Sequence, residues 1–311
     1  MSPRLENIVA RLAHPFAILM LVIGGYAGAD WPLVGQSAAL LTILYCLPLE
    51  KAFPRIPEWK LDLPDVAQAT TWNVLLDRVV YPLTFAFAII PLVGLLSAWR
   101  DQFSIPKVWP ADWPVAARAV LALLLFQVFA YWAHRATHRW ALLWRAHGVH
   151  HHLTKLTALT GTINGLFDGL AITIGWVPLI VLGLDFQHEI MPLIVITNGI
   201  NILAHANVRF AVPRWYRRIV TTNVDHAVHH SIVLEEQNSN YACYFIGVDR
   251  LFGTYVEGDP RKTGAAGAGR GTRLTVMQQI LFPFRRSRNF EAPLPWERRR
   301  AGALARDGRT H

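Results

Sequence analysis

Histidine offers the richest chemistry in this sequence, which contains 13 histidines among its 311 residues. Eight of them fall in three motifs: an HxxxH pair at His134 and His138, one HxxHH motif at His147, His150 and His151, and a second at His226, His229 and His230. Spacings of three and four residues place side chains on one face of a helix, so the imidazoles of each motif can converge on one point. First-row metals require such convergent nitrogen ligands. Without a metal, these rings would repel one another when protonated and lack partners when neutral, so the pattern predicts a metal site.

Long apolar segments surround these motifs. A helix that crosses a bilayer needs about 20 mainly apolar residues, and the candidate segments are 15–29, 31–49, 79–99, 114–133, 165–184 and 189–204. The chain is 53% hydrophobic and only 16% charged, whereas soluble domains carry roughly 25% charged residues. The predicted fold is therefore all-α: a polytopic bundle of about four to six membrane helices that supports a cytoplasmic helical cap with the histidine site.

Basic residues lie mainly on one side of this topology. They are Arg4, Arg11, Lys51, Arg55, Lys60, Arg78, Arg135, Arg139, Arg145, Lys155, Arg209, Arg214, Arg217 and Arg218. The opposite loops are poor in Lys and Arg, with Arg100 and Lys107 as the exceptions. Loops rich in Lys and Arg stay in the cytoplasm. The histidine motifs and both termini are therefore predicted to face the cytoplasm, and the membrane is the inner membrane if the organism is bacterial. The net charge of +9 then reflects contact with an anionic leaflet and not nucleic-acid binding.

A single histidine, His205, lies at the cytoplasmic end of the sixth segment and brings the candidate ligands at this depth to nine. A zinc ion takes four ligands, so nine imidazoles fit two ions with open coordination positions. Two cysteines cannot form a thiolate site, and nitrogen ligands without thiolate suit iron among other metals. His14, His188 and His311 fall elsewhere in the topology and are excluded, while the role of His152 stays open.

Open positions on iron in a membrane protein suggest the oxidation of a lipid by O2. A metal-binding or transport protein is the alternative from another class. Transporter ion sites lie near the bilayer midplane, whereas these histidines are predicted to lie at the membrane surface.

The motifs and their order resemble the fatty acid hydroxylase and sterol desaturase superfamily. The resemblance covers about residues 115–256 and includes His205, Asn238 and Asn240 before Tyr241, and the terminal signature Asp249-Arg-Leu-Phe-Gly-Thr-Tyr255. It implies a membrane-bound di-iron oxygenase that hydroxylates a fatty acyl, sterol-like or other lipid with O2. A desaturase or an ether-lipid-cleaving monooxygenase of the same superfamily is the alternative. No HPGG haem motif is present, so the electrons are expected from a ferredoxin, a cytochrome b5-like protein or a reductase.

Several polar residues are expected around the ligands. Asp225, Glu236 and Asp249 are candidates to fix the histidine tautomers, and Asn240 belongs to the family pattern. Some relatives have a histidine at the position of Asn201, where a water could replace it on the metal. Asp168 could fill the role of an acidic residue that many relatives carry after the second motif.

The predicted organisation has three parts. Residues 1–113 form N-terminal membrane helices, residues 114–258 form the catalytic domain, and residues 259–311 form a flexible, basic tail. Within the tail, residues 274–284 are apolar enough to lie on the membrane surface.

Overall fold

The computed structural model describes residues 3–27, 32–169, 175–259 and 274–284. Within these ranges the regular structure is helical, and the pairing of extended backbone is limited to an isolated bridge between Pro54 and Val208. The prediction of an all-α fold is confirmed.

The helices are named here in chain order. They are α1 (Pro3–Ala27), α2 (Pro32–Ala52), α3 (Leu63–Gln102), α4 (Val115–Arg139), α5 (Ala141–His147), α6 (Val177–Leu182), α7 (Met191–His205), α8 (Asn223–His229), α9 (Leu234–Gln237), α10 (Gly247–Leu251) and α11 (Val276–Leu281). Single turns of 3-10 helix lie at His150–His152 and Thr160–Thr162.

Three helices in the described part of the chain are long and apolar enough to cross a membrane: α1 from Arg4, α3 and α4. They contain most or all of the first, third and fourth apolar segments of the sequence. Large apolar side chains on their outer faces, such as Leu12, Phe87, Leu95 and Val120, are exposed. Lipid tails would cover these faces, so the chain is an integral membrane protein.

Helix α3 has 40 residues and begins much earlier than the predicted third span. Asp62 and Asp65 form a capping box at its start, and Pro64 occupies its first turn. A helix of this length extends about 60 Å, twice the thickness of the hydrocarbon core. Its first part therefore runs beside the histidine motifs, where the Trp72 indole donates to the carbonyl of Asn164 over 2.8 Å.

Two π-helical turns interrupt α3, at Leu76–Val80 and Phe85–Ile89, and a third, Phe186–Ile190, begins the helical segment that continues as α7. Each turn ends two residues before a proline: Pro82, Pro91 and Pro192. A proline ring clashes with the carbonyl four residues earlier and has no N–H to donate. The wider π turn relieves that conflict without ending the helix.

Helices α1 and α7 pack closely through glycine. A Cβ atom on Gly199 would lie 2.2 Å from Leu21 Cδ2, and one on Gly25 would lie 2.8 Å from Ile196 Cγ1. Small residues at such crossings allow two backbones to approach. This contact anchors α7, which carries His205 at its last residue.

The fifth apolar segment was predicted as one helix over 165–184, and that prediction is wrong. Residues 170–174 lie outside the described residues, but a turn at Gly175 and Trp176 precedes α6, and Gly183 ends it with a φ of +93°. A helix as short as α6 rises only about 9 Å. At the other end of the segment, Asp168 is buried against His147.

The predicted tail is described only in part. Residues 260–273 and those from Arg285 onward lie outside the described residues. Between them, α11 and the turn Phe282–Phe284 cover the segment that carries the second histidine motif. The Phe282 ring is buried and lies 5.3 Å from the ring of His152.

Candidate metal centre

All nine histidines singled out in the sequence meet in two compact groups. The five-histidine group contains His134, His138, His147, His151 and His229, and the four-histidine group contains His150, His205, His226 and His230. Within each group, one ring nitrogen from every residue lies within 4.8 Å of the others. The sequence motifs are therefore divided between groups, because His150 and His151 of one motif point to different centres.

Five structural elements carry these rings. Helix α4 supplies His134 and His138, α5 ends at His147, and the 3-10 turn that follows carries His150 and His151. Helix α7 ends at His205, and α8 with the next residue supplies the last three rings. Because each helix ends at the same level, the rings form one buried layer.

Backbone carbonyls fix the orientation of two rings in each group. In the five-histidine group, His134 Nδ1 donates to the Tyr241 carbonyl and His229 Nδ1 to the Ser239 carbonyl, both over 2.7 Å. A carbonyl oxygen can only accept, so Nδ1 carries the proton and Nε2 keeps its lone pair.

The four-histidine group repeats this arrangement. His150 Nδ1 donates to the Ile163 carbonyl over 2.9 Å, and His205 Nδ1 donates to the Asn201 carbonyl over 2.7 Å. Both Nε2 atoms therefore keep their lone pairs as well.

These lone pairs face one another. The Nε2 atoms of His134 and His229 lie 3.1 Å apart, and those of His150 and His205 also lie 3.1 Å apart. Two acceptors at this distance repel unless a cation lies between or beside them. Protonation does not relieve the conflict, because burial lowers the pKa of His229 to about 3. Burial and the neighbouring His205 also lower the pKa of His150 well below its ordinary value. Each of the two groups could therefore hold a metal ion.

Several other ring nitrogens in the groups lack a protein partner. Both nitrogens of the buried His138 have none among the described residues, and the Nδ1 atoms of His151, His226 and His230 are in the same state. The His226 and His230 Nε2 atoms lie 3.2 Å apart. For His151, His226 and His230 it is Nε2 that faces the neighbouring rings, so ligation would satisfy these Nε2 atoms and not the unpartnered Nδ1 atoms.

The two groups adjoin each other. The rings of His151 and His230, one from each group, stack with centroids 4.4 Å apart. Such contact would place two ions side by side in one layer. The donor set is nitrogen throughout, with one carboxylate, Asp168, hydrogen-bonded to His147 Nδ1 over 3.0 Å. Imidazole donors of this kind suit iron, zinc and copper.

The polar residues expected to fix the tautomers occupy different positions. Asp249 accepts from the Tyr241 and Ala242 amides and from Thr254 Oγ1, and so holds the loop whose Tyr241 carbonyl orients His134. Asp225 accepts from Thr222 and caps α8. Four rings are oriented by backbone carbonyls, and the carboxylate that contacts a ring is Asp168 on His147.

The remaining three expected residues also act through the backbone. Glu236 accepts from the Ser231 hydroxyl, and its own carbonyl accepts from Ser239 Oγ. Asn240, with a φ of +49°, bonds to the backbone of Asp225 and Val256. Asn201, which stands where some relatives have a histidine, accepts from His205 Nδ1 through its backbone carbonyl.

The sequence patterns did not predict the close packing at two glycines, Gly161 and Gly165. A Cβ atom on Gly161 would lie 2.2 Å from His205 Cβ, and one on Gly165 would lie 1.6 Å from the carbonyl oxygen of Ala146. The loop of residues 160–165 therefore packs against His205 and the Ala146 carbonyl only because residues 161 and 165 lack side chains. The run Thr160-Gly-Thr-Ile-Asn-Gly165 carries a signal of close approach, two glycines in an otherwise bulky region.

The excluded histidines lie apart from both groups. His14 is buried in α1 with Nδ1 2.9 Å from the Tyr216 hydroxyl. His188 is exposed and lies beside Asp185. His152 contacts Phe282 and lies outside both groups. His311 lies outside the described residues.

Residues 119–254 match the family model of fatty acid hydroxylases. The chain is also 34% identical over 264 residues to the ornithine lipid hydroxylase OlsE of Rhizobium tropici, a match that covers 82% of this chain and 77% of that protein. No solved structure matches the chain. Both similarities are to oxidoreductases, and both span all three histidine motifs. The chain therefore belongs to the fatty acid hydroxylase family, as its histidine motifs indicate.

Proposed function

We propose that this protein is a membrane-bound di-iron oxygenase that hydroxylates a lipid with O2 and electrons from a separate protein. The observation that carries the proposal is the pair of facing Nε2 lone pairs in each histidine group, which a metal cation would satisfy. Family membership favours iron over the other metals that imidazole accepts. Two bound iron ions would supply the chemistry that activates O2 for attack on an unactivated C–H bond.

The five-histidine and four-histidine groups would each hold one ion. The carbonyls of Tyr241, Ser239, Ile163 and Asn201 orient four of the rings, which pre-organises the site for a metal. Asp168 places a carboxylate behind His147, which strengthens that ring as a donor. Burial of the nine rings excludes water from the reaction.

An ornithine lipid is the first substrate to test, since a relative that shares 34% identity over most of the chain is named for that activity. Hydroxylation is preferred to desaturation for the same reason. Helix α4 is a candidate membrane span and carries two of the ligands, His134 and His138, near its last residue. The histidine layer would therefore lie next to the bilayer, where a lipid can reach it.

The histidine layer is proposed to face the cytoplasm. The Lys and Arg residues around it outnumber those at the far ends of the helices, and a cytoplasmic electron donor can then reach it. Cysteines placed at Ser104 and Ser287 should be labelled from opposite sides of the membrane. Labelling of both from one side would break this topology.

Turnover of a defined lipid tests the proposal. Iron-loaded protein in nanodiscs that contain ornithine lipid should consume O2 when a reductase system supplies electrons. The lipid product should gain one oxygen atom by mass, and the His205→Ala variant should give none. A product lighter by two hydrogens would make the protein a desaturase. Reversible iron binding with no O2 consumption on any lipid would support a metal-binding or transport role instead.

A further inference from the structure

A second polar site lies at the other end of the helix bundle. A cavity of about 330 Å³ opens between the end of α3, the loop before α4 and the residues that precede α7. Arg118 on its wall and His134 in the metal centre are on the same helix, 16 residues apart, which corresponds to about 24 Å at the helical rise per residue. The cavity is therefore separate from the histidine layer by most of a membrane thickness.

The charged residues of this cavity leave a surplus of positive charge. Each of its acids has a basic neighbour: Glu189 Oε1 lies 3.2 Å from Arg118, while Glu189 Oε2 is buried without a hydrogen-bond partner among the described residues, and Asp185 accepts from the amide and ring of His188. Arg100 is nearly buried, with 8% of its side chain exposed, and its ion-pair partner is the exposed neighbour Asp101. Lys107 has no acidic partner among the described residues that line the cavity.

Arg100 and Lys107 are the two basic residues that break the charge asymmetry of the sequence. The structure brings both to one cavity. Gly183, with a φ of +93°, leaves room for the stem of Lys107, because a Cβ there would lie 2.7 Å from Lys107 Cγ. The burial of Arg100 and the close packing of Lys107 against Gly183 indicate a preformed binding site and not scattered surface charge.

The rest of the cavity wall is apolar. Val93, Ile180, Leu184, Phe186 and Ile190 line it beside the cations. A volume near 330 Å³ lies at the small end of ligand pockets. A ligand that matches this lining has an anionic group at one end and hydrocarbon at the other.

We propose that this cavity binds the phosphate group of an anionic phospholipid on the membrane face opposite the metal centre. Arg100 and Lys107 donate to the phosphate oxygens, as charge-assisted hydrogen bonds favour. The apolar wall contacts the glycerol and the first part of an acyl chain. The same phosphate chemistry could come from a soluble phosphate ester, so the test includes both sources. This proposal does not depend on the oxygenase activity.

Native mass spectrometry of the full-length protein, released from detergent, can count bound lipid. Wild type should retain phosphatidylglycerol more than phosphatidylcholine of the same acyl chains. The Lys107→Gln variant should lose about tenfold in phosphatidylglycerol affinity, the size expected from one charge-assisted hydrogen bond. Because Lys107 is exposed, this variant should fold normally, whereas Arg100→Gln removes a nearly buried cation and serves as a second test where it folds. Lys51→Gln, at an exposed lysine far from the cavity, is the matched control and should bind as wild type.

Glycerol 3-phosphate and inorganic phosphate form the soluble arm. If they compete with the lipid or bind with the same Lys107 dependence, the site takes phosphate from either source. Equal retention of the two lipids, or equal loss in Lys107→Gln and Lys51→Gln, would overturn the proposal.

Discussion

The two histidine groups share one plan but are held by different parts of the chain. In each group, two rings donate from Nδ1 to a backbone carbonyl and face each other through Nε2. The five-histidine group rests on α4 and has a carboxylate, Asp168, behind one ring. The four-histidine group rests on α7 and the glycine loop of residues 160–165, and its orienting partners are neutral.

The two centres therefore depend on different local structure. The five-histidine group gains one ligand and one nearby negative charge, both of which favour tighter binding of a cation. The four-histidine group depends on a close backbone approach instead. We expect the four-histidine ion to be lost first, and the predictions below test that asymmetry.

The largest effect should come from removal of a ring in either group. His134→Ala and His205→Ala should each lower turnover by more than about 100-fold, since loss of an outer partner alone costs about 10–100-fold. His205→Ala should lose the ion of the four-histidine group and keep the other. Metal analysis beside turnover measures this, and equal loss of both ions in both variants would show that the groups are not independent.

Gly165→Ala and Gly161→Ala should disturb the packing of the loop of residues 160–165 against Ala146 and His205. An added Cβ at residue 165 meets a backbone oxygen at 1.6 Å, and one at residue 161 meets the His205 ring. Overpacking of this kind typically costs about 1–3 kcal/mol of unfolding free energy. Gly161→Ala should also lower metal content in the four-histidine group, whereas Gly94→Ala, which meets nothing within 4 Å, is the matched control. Thermal unfolding and metal analysis decide the outcome, and an unchanged Gly161→Ala protein would contradict the account.

Asp168→Asn should weaken the five-histidine group selectively. The variant keeps the shape but loses the negative charge behind His147, for which we expect a loss of about 10–100-fold in metal affinity or activity. Asp225→Asn is the comparison, because Asp225 caps α8 and should cost only about 1 kcal/mol of stability. If Asp225→Asn impairs turnover more than Asp168→Asn, the assignment of their roles is reversed.

His188→Ala should have the smallest effect. The side chain is exposed and lies 17 residues before His205, about 25 Å along the helix. Surface changes of this kind usually alter stability by less than about 0.5 kcal/mol. Turnover and metal content should match wild type. Loss of activity here, together with an active His205→Ala protein, would invert the topology of α7.

Much of the centre could be predicted because histidine spacing on a helix is a local property. His134 and His138, or His226 and His230, share a face whatever the rest of the chain does. The division of His150 and His151 between two groups could not be predicted, because it depends on the 3-10 turn that carries both residues, and neighbouring side chains of such a turn point in different directions. The groups that accept hydrogen bonds from the rings could not be predicted either. They include the backbone carbonyls of Tyr241 and Ser239, and every residue has a backbone carbonyl.

The membrane helices were predictable where apolar length decides them, as in α1 and α4. Helix α3 begins at a polar segment that hydropathy alone reads as a loop, and its start is set by the Asp62 and Asp65 capping box. The segment 165–184 is apolar, yet Asp168 is drawn to the histidine layer and Gly183 ends α6. Polar contacts there outweigh hydropathy.

The metal content of the purified protein decides whether the two histidine groups hold two ions. Protein prepared with iron, and measured for iron and for chain concentration by amino-acid analysis, should carry about two ions per chain, and Mössbauer spectra should show nitrogen-rich iron in two environments. One ion per chain in a fully active protein would contradict the assignment of two histidine groups to two irons.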